Sequence, residues 1–240
     1  MDMAKTMNSK EFFSRQWQVY EKILEHDYMG HREIYQVLQE TFLVFFKSVP
    51  INILDLGCGD ARFISKALLK SNINSYYGID LSPVALEIAK TNMQLVGCQN
   101  TFRQGNFYPL ERLLSQKNSF NCILSSFAIH HLSSLQKELH IGEIYRILQP
   151  GGIFFLIDIV LREKEDRNAY MLRYLQEIKE NWSLLSTDDY EMLENHITSS
   201  DYPESLEVFR EMGLNNHFDQ VDCLYRDPLK TMRLLAFQKK

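Results

Sequence analysis

Residues 51–62 read INILDLGCGDAR, from Ile51 to Arg62. Pro50 introduces a short apolar run, Ile51–Leu56, with the length and composition of a buried strand. Gly57-Cys58-Gly59 breaks the run, and Ala61, Phe63, Ile64, Ala67 and Leu68 then recur at helical spacing. A strand, a glycine turn and a helix in succession form the first unit of an α/β sheet. The glycines let a ligand approach the backbone, and the helix N-terminus favours negative charge. A dinucleotide fingerprint, G-x-G-x-x-G, would need glycine where Arg62 stands, so a pyrophosphate ligand is disfavoured. A ligand carrying both a carboxylate and an amine fits better, because backbone donors and Asp55 address one each.

Working outward, residues 76–80 (YYGID) read as a second strand ending on Asp80, 21 positions beyond Gly59. An acidic side chain at that point suits the two hydroxyls of a ribose. Ser82-Pro83 starts a helix as N-cap and N1, with Val84, Leu86, Ile88, Ala89 and Met93 apolar and Gly97 as its stop. Residues 101–104 form a short third strand, 110–114 a brief helical turn and 121–126 (NCILSS) a fourth strand. Ser133 with Gln136 has capping-box spacing and opens a helix carrying Leu135, Leu139, Ile144, Ile147 and Leu148. Residues 149–152 (QPGG) then turn sharply into a fifth strand, 153–159. The alternation predicts a doubly wound α/β sheet, its strands apolar on both faces as in a covered parallel sheet.

Two helical patterns, 12–24 and 31–46, precede this core. Residues 163–212 read as two or three more helices, with Leu172, Leu175, Ile178 and Trp182 as one stripe. Asp188 with Glu191 is the expected cap of a second helix, and Pro203 the first turn of a third that ends at Gly213. The charges over 162–167 read as a solvated helix start. Residues 218–225 and 232–238 complete the sheet as a closing pair of strands. One domain results: a helical lid (1–49), a core (50–160), a helical insertion (161–213) and a closing hairpin (214–240).

Composition excludes several classes of function. The chain has 240 residues, 26 Lys+Arg against 31 Asp+Glu and a net charge of -5, so nothing pulls it towards DNA, and RNA is disfavoured. Cys58, Cys98, Cys122 and Cys223 lie far apart, with no close pair of the kind zinc fingers show. The N-terminus lacks a signal-peptide core, and no apolar run approaches the roughly 18 residues of a membrane span. A cytoplasmic protein with reduced thiols, no membrane partner and no bound metal is expected.

Residues 51–159 resemble the core of class I S-adenosylmethionine (AdoMet)-dependent methyltransferases. The resemblance runs through ILDLGCGDA, YYGIDLSPVALEIAK, FRQGNF, CILSSFAIHHL and EIYRILQPGGIFFLID, in that family's order and spacing. It implies a seven-stranded mixed sheet of order 3-2-1-4-5-7-6, with AdoMet as cofactor. Asp55, Gly57, Cys58 and Gly59 would then hold the methionine end, Asp80 the ribose, and Leu81 and Phe107 the faces of the adenine. The family usually has an aspartate where this chain has Asn106, whose carboxamide still offers an acceptor oxygen. Backbone groups of Ser126 and Phe127 would meet the cofactor, and a lid aromatic, Tyr20 or Tyr28, would lie near the sulfonium.

His130 and His131 are adjacent imidazoles beyond the fourth strand and candidate general bases for an acceptor hydroxyl. Tyr170, Trp182 and His196, in the insertion, are candidate acceptor-side residues. A small-molecule acceptor is the expected substrate. The C-terminal pattern from Pro203 through Tyr225 and Phe237 also loosely resembles enzymes of tRNA wobble-uridine modification, which keeps an RNA or protein acceptor as an alternative. Asn106 keeps a second one, a non-catalytic AdoMet-binding regulator.

Overall fold

Strand β1 (Ile51–Leu56) lies at the middle of the sheet, because its side chains are apolar on both faces. The structure, a computed structural model, describes residues 18–47, 49–110 and 119–240. Helices α1 (18–25) and α2 (His31–Phe45) precede β1. The core follows as α3 (Arg62–Leu68), β2 (Ile73–Asp80), α4 (Pro83–Met93), β3 (Gln99–Gln104), β4 (Phe120–Ser126), a 3-10 turn (Ile129–His131), α5 (Ser134–Ile147) and β5 (Leu148–Leu161). The rest is α6 (Arg167–Asn181), α7 (Thr187–Ser200), β6 (Glu204–Ser205), α8 (Leu206–Asn215), β7 (Gln220–Arg226) and β8 (Met232–Gln238).

The strand order is β3-β2-β1-β4-β5-β8-β7, parallel from β3 to β5, with β8 antiparallel to both β5 and β7. This is the expected order, renumbered by one unforeseen element, the two-residue β6 paired with the end of β5. Along β5 successive residues face opposite sides. Phe154 and Leu156 pack under α5 and α8, whereas Phe155 and Ile157 pack under α2, α3 and α4. Each such side chain, fully buried, contributes about 1.5–3 kcal/mol. No helix among the described residues is long and apolar enough to cross a membrane.

Several local expectations change. Strand β5 begins at Leu148, so the QPGG segment lies within it, as a register shift opposite Phe120–Cys122. On α5, Leu135 and Leu139 are exposed and the buried face is Lys137, His140, Ile141, Ile144 and Ile147, because that face meets β5 and α8. On α6, Leu172 points to solvent, and Tyr170, Met171, Tyr174 and Ile178 are buried. Ser186 and Asp189, not Asp188 and Glu191, form the capping box of α7, and Ser205 caps α8. The charges at 162–167 are partly engaged: Glu165 takes the Arg173 guanidinium at 2.7 and 2.9 Å and Asp166 caps α6, while Glu163 and Lys164 are exposed. Most of the helical turn expected at 110–114, and the first part of the helix expected at 12–24, lie outside the described residues.

The insertion shares a core with the carboxyl end of β5 and the start of β8. Trp182, Tyr170, Tyr174, Ile178 and Ile197 of α6–α7 pack with Val19 and Ile23 of α1 and with Ile159 and Met232 of β5 and β8.

Candidate active site

The chain connections reverse direction on either side of β1, since β2 follows it on one flank and β4 lies on the other. The crevice between the carboxyl ends of β1 and β4 is where open α/β sheets bind ligands. A pocket occupies it, lined on the sheet side by Asp55, the 57–62 loop, Ser126 and Phe127, and on the lid side by Tyr20, His31 and Tyr35.

The loop after β1 is locally constrained. Gly57, Gly59 and Ala61 all have positive φ (78°, 52° and 54°), alternating with Cys58 and Asp60. Such alternation is the backbone pattern of an anion-binding nest, but here protein acceptors take the N–H groups of Gly57, Cys58, Gly59, Ala61 and Arg62. Gly57 is required twice over, because a Cβ there would sit 2.7 Å from Ala128 Cβ. The N–H groups of Gly57 and Cys58 both bond Ile79 O, anchoring the loop to β2. Asp80 holds it from the side: its carboxylate accepts from Gly59 N at 2.9 Å and from Ser82 N at 2.8 Å. Opposite, Phe127 has φ 50°, an uncommon setting for a bulky residue and one that marks functional loops.

Asp55 is the electrostatic centre. It is 2% exposed, its Oδ2 accepts from Tyr76 Oη at 2.6 Å, and its Oδ1 has no partner among the described residues. Burial, opposed by the Tyr76 hydrogen bond, pushes its pKa to about 7. Burial near Asp60, Asp80 and Asp55 likewise raises the Tyr20 phenol. Tyr35 hydrogen-bonds the Ser126 side chain. His31 stacks on Phe63 and Phe127 at centroid distances of 4.9 and 4.8 Å, and burial holds its pKa at about 4, so it is neutral.

Of the residues singled out from sequence, Asp55, Gly57, Cys58, Gly59, Tyr20, Ser126 and Phe127 meet at this pocket, with Asp80 directly behind the loop. Phe107 lies 3.8 Å from where a Gly57 Cβ would stand. Leu81 and Asn106 are exposed beyond it, and Asn106 Oδ1 accepts from Tyr108 N. Tyr28 lies elsewhere: it stacks on Trp182 at 5.0 Å and 5°, and its hydroxyl accepts from Leu184 N. Tyr170 stacks on Tyr174 inside the insertion core. Sequence reasoning did not single out His31 or Tyr35. The signal available was their spacing of four on α2, which places both on one helix face.

A second polar group lies beyond Phe127. His130 Nδ1 is 2.5 Å from Asp158 Oδ1, and its backbone N–H donates to Asp158 Oδ2 at 3.0 Å. Its Nε2 lies 3.7 Å from Asp201 Oδ1, and His131 Nδ1 lies 3.4 Å from the same oxygen. The His196 ring is 5.1 Å from that of His131. Burial alone would lower the His130 pKa, but the adjacent Asp158 carboxylate, aided by Asp201, raises it above the ordinary histidine value. Asp158 and Asp201, the carboxylates that organise this group, were not visible as site residues in the sequence.

The pocket residues fit AdoMet at its amine, which the buried Asp55 Oδ1, unpartnered among the described residues, would accept, beside a glycine turn that lets the ligand approach the backbone. The fold and pocket together define a class I AdoMet-dependent methyltransferase. Residues 47–217 match the family described as methyltransferase domain, and the chain belongs to that family, with AdoMet as its cofactor. It is 34% identical over 107 residues to an uncharacterized methyltransferase of Synechocystis sp., covering 45% of this chain and 46% of that relative. A carboxy-S-adenosyl-L-methionine synthase of Desulforapulum autotrophicum is 28% identical over 85% of this chain and 81% of its own length. Among solved structures, magnesium protoporphyrin IX methyltransferase from Synechocystis, with bound SAH, superposes with a TM-score of 0.61 at 16% identity, covering 95% and 94% of the two chains.

Proposed function

We propose that this chain transfers a methyl group from AdoMet to a small-molecule acceptor, working as one domain whose insertion, 161–213, forms the acceptor side. The observation that carries the reading is the pocket where Asp55 presents a buried, unpartnered oxygen beside the glycine turn. When bound, AdoMet supplies a methyl group already activated on a sulfonium. Asp55 holds its amine, the 57–61 loop lies against its methionine end, Asp80 holds its ribose hydroxyls, and Leu81, Asn106 and Phe107 the base. Tyr20 and Tyr35 line the pocket from the lid side, where an aromatic ring can meet a cation.

The chain's contribution to the reaction is alignment and exclusion of water. Holding two reactants in line supplies roughly 7–11 kcal/mol of a barrier without acid–base chemistry. His130 and His131, three and four residues beyond Phe127, with His196 beside His131, are placed on the acceptor side in this reading. A net charge of -5 favours a small acceptor over RNA. The four free thiols suit the reducing cytoplasm.

A second reading follows from the carboxy-S-adenosyl-L-methionine synthase relative, in which the product is itself a modified AdoMet. The pocket charge favours the first: Asp55 and Asp60 line it against Arg62, which Asp60 already engages at 3.1 Å, so a sulfonium cation is better matched than an added carboxylate. Isothermal titration with AdoMet and its demethylated product tests the reading, and high-micromolar or tighter binding is expected. No binding of either removes it. Mass spectrometry of ligand extracted from the purified protein separates AdoMet from a carboxylated form.

A further inference from the structure

Beyond β4 and β5, the loop leaving the pocket at Phe127 runs within three residues into His130, where α7 brings Asp201 alongside. His130, His131 and Asp201 each offer one ligand atom, and the three atoms lie within 4.8 Å of one another. We propose that these residues form a binding site for a divalent cation of the zinc type, with one coordination position open to an exogenous oxygen or sulfur ligand. The proposal rests on the methyltransferase reading only for its use: the open position would hold the acceptor atom.

Four observations carry it. The first is spacing. Zinc bonds to nitrogen or oxygen of about 2.0–2.1 Å put tetrahedral ligands about 3.4 Å apart, whereas octahedral neighbours lie about 2.9 Å apart. Asp201 Oδ1 is 3.4 Å from His131 Nδ1, the tetrahedral edge, and 3.7 Å from His130 Nε2, a little beyond it, and a cation would take His131 Nδ1 from its 3.3 Å contact with Ser200 O. The second is support from behind. His130 uses Nδ1 on Asp158 at 2.5 Å and presents Nε2 to the cluster, the carboxylate–histidine arrangement that fixes ring orientation at metal sites.

The third is an unmet need. The Asp201 side chain is 5% exposed, and its Oδ1, the atom facing both imidazoles, has no hydrogen-bond partner among the described residues. The buried hydroxyl of Tyr170 is likewise unpartnered there, within electrostatic reach of Asp201 and Asp158. The fourth is charge. The buried Lys137 ammonium bonds Tyr202 O and Glu204 Oε1, the latter at 3.3 Å. Asp158, Asp201 and Glu204 therefore face one ammonium, a surplus of carboxylate that draws positive charge to the cluster. His131 is 38% exposed, so a fourth ligand reaches the site from solvent, on the side where His196 stands.

At such an open site a bound hydroxyl or thiol gives up its proton more readily, because the cation stabilises the anion. The acceptor lone pair then forms the new bond to the methyl carbon as the carbon–sulfur bond of the sulfonium breaks, and the proton leaves to solvent. His130 and His131 would act in this scheme as ligands, not as free bases.

The test uses the full chain, stripped with chelator and titrated with zinc sulfate. One zinc per chain is expected, with a dissociation constant at or below micromolar. Cobalt(II) in its place should give the intense visible bands of a tetrahedral ion. Asp201→Asn and His131→Ala should each weaken zinc binding at least tenfold, while His217→Ala, on the far side of α8, should not. AdoMet titrations on the same preparations report folding and separate the two readings: AdoMet binding without zinc binding overturns the metal site alone. Zinc uptake that survives both substitutions unchanged also overturns it.

Discussion

The glycine pocket and the histidine cluster are both built at the carboxyl ends of neighbouring strands, yet they are put together differently. The sheet side of the pocket is a run close in sequence, Asp55 to Arg62, tied to the neighbouring β2 through Tyr76, Ile79 and Asp80. The cluster joins β4, β5 and α7 through residues up to about seventy positions apart, as in the contact of His131 with Ser200. Local backbone geometry makes the first, and tertiary packing of the insertion makes the second. Substitutions in the pocket should therefore act on cofactor affinity, and substitutions in the insertion on stability and on the acceptor.

The largest effect expected is at Gly57. Gly57→Ala forces a Cβ to 2.7 Å from Ala128 Cβ, which has no rotamer by which to escape, at φ 78°. Left-handed backbone alone costs an L-residue about 1–2 kcal/mol, and the overlap adds about as much again. AdoMet binding should fall below detection, with a lowered thermal midpoint. Gly97→Ala is the control: its φ is 70°, but nothing lies within 4 Å of the added methyl. It should cost about 1 kcal/mol of stability and leave AdoMet affinity unchanged. Equal behaviour of the two variants would break the assignment of the 57–61 loop to the cofactor.

Asp80→Ala comes next. It removes an acceptor from the ribose position and from Gly59 N, and should weaken AdoMet binding by about 1–3 kcal/mol. Unchanged affinity in that variant would show the cofactor lying elsewhere.

The contrast between the two regions also explains what the sequence made legible. The strand–helix alternation, the Ser82-Pro83 helix start, the Ser133 capping box and the glycine loop follow from local rules, and each stands in the structure where those rules place it, whereas the strand order came from the family resemblance. The buried face of α5 did not follow, because Lys137 and His140 lie inward where Leu135 and Leu139 lie outward. Hydrophobicity alone cannot foresee a lysine buried to bond a loop carbonyl at Tyr202. Asp201 was equally opaque, since it gains its meaning only when α7 is laid against the β4 loop. The same holds for Tyr28 and Trp182, whose aromatic character suggested ligand contact and whose partners turn out to be each other.

Tyr28→Ala tests that last point. Losing the stack on Trp182 and the Leu184 N–H acceptor should cost about 1–2 kcal/mol of folding stability. AdoMet affinity should move less than twofold. A tenfold loss of AdoMet binding would bring Tyr28 back to the cofactor and erase the division between pocket and insertion.

The smallest effect is also the most diagnostic, because binding and stability should respond to pH in opposite directions. Asp55 is buried with its pKa near 7 in the free chain, against an ordinary carboxylate value near 4 when unfolded. A carboxyl whose folded pKa is raised stabilises the fold fully below the unfolded value, and that contribution is lost as pH rises from about 4 through 7. The ammonium of AdoMet selects the ionised form, so affinity should rise with pH up to about 7 and level off above it. At pH 6 the affinity should be roughly a tenth of the plateau, about 1.4 kcal/mol weaker, with close to one proton released per AdoMet bound. Titration calorimetry in buffers of different ionisation enthalpy reads the proton directly. Asp55→Asn should flatten both profiles together. A flat binding profile in the unsubstituted chain would place the amine away from Asp55 and remove the charged anchor of the methionine end.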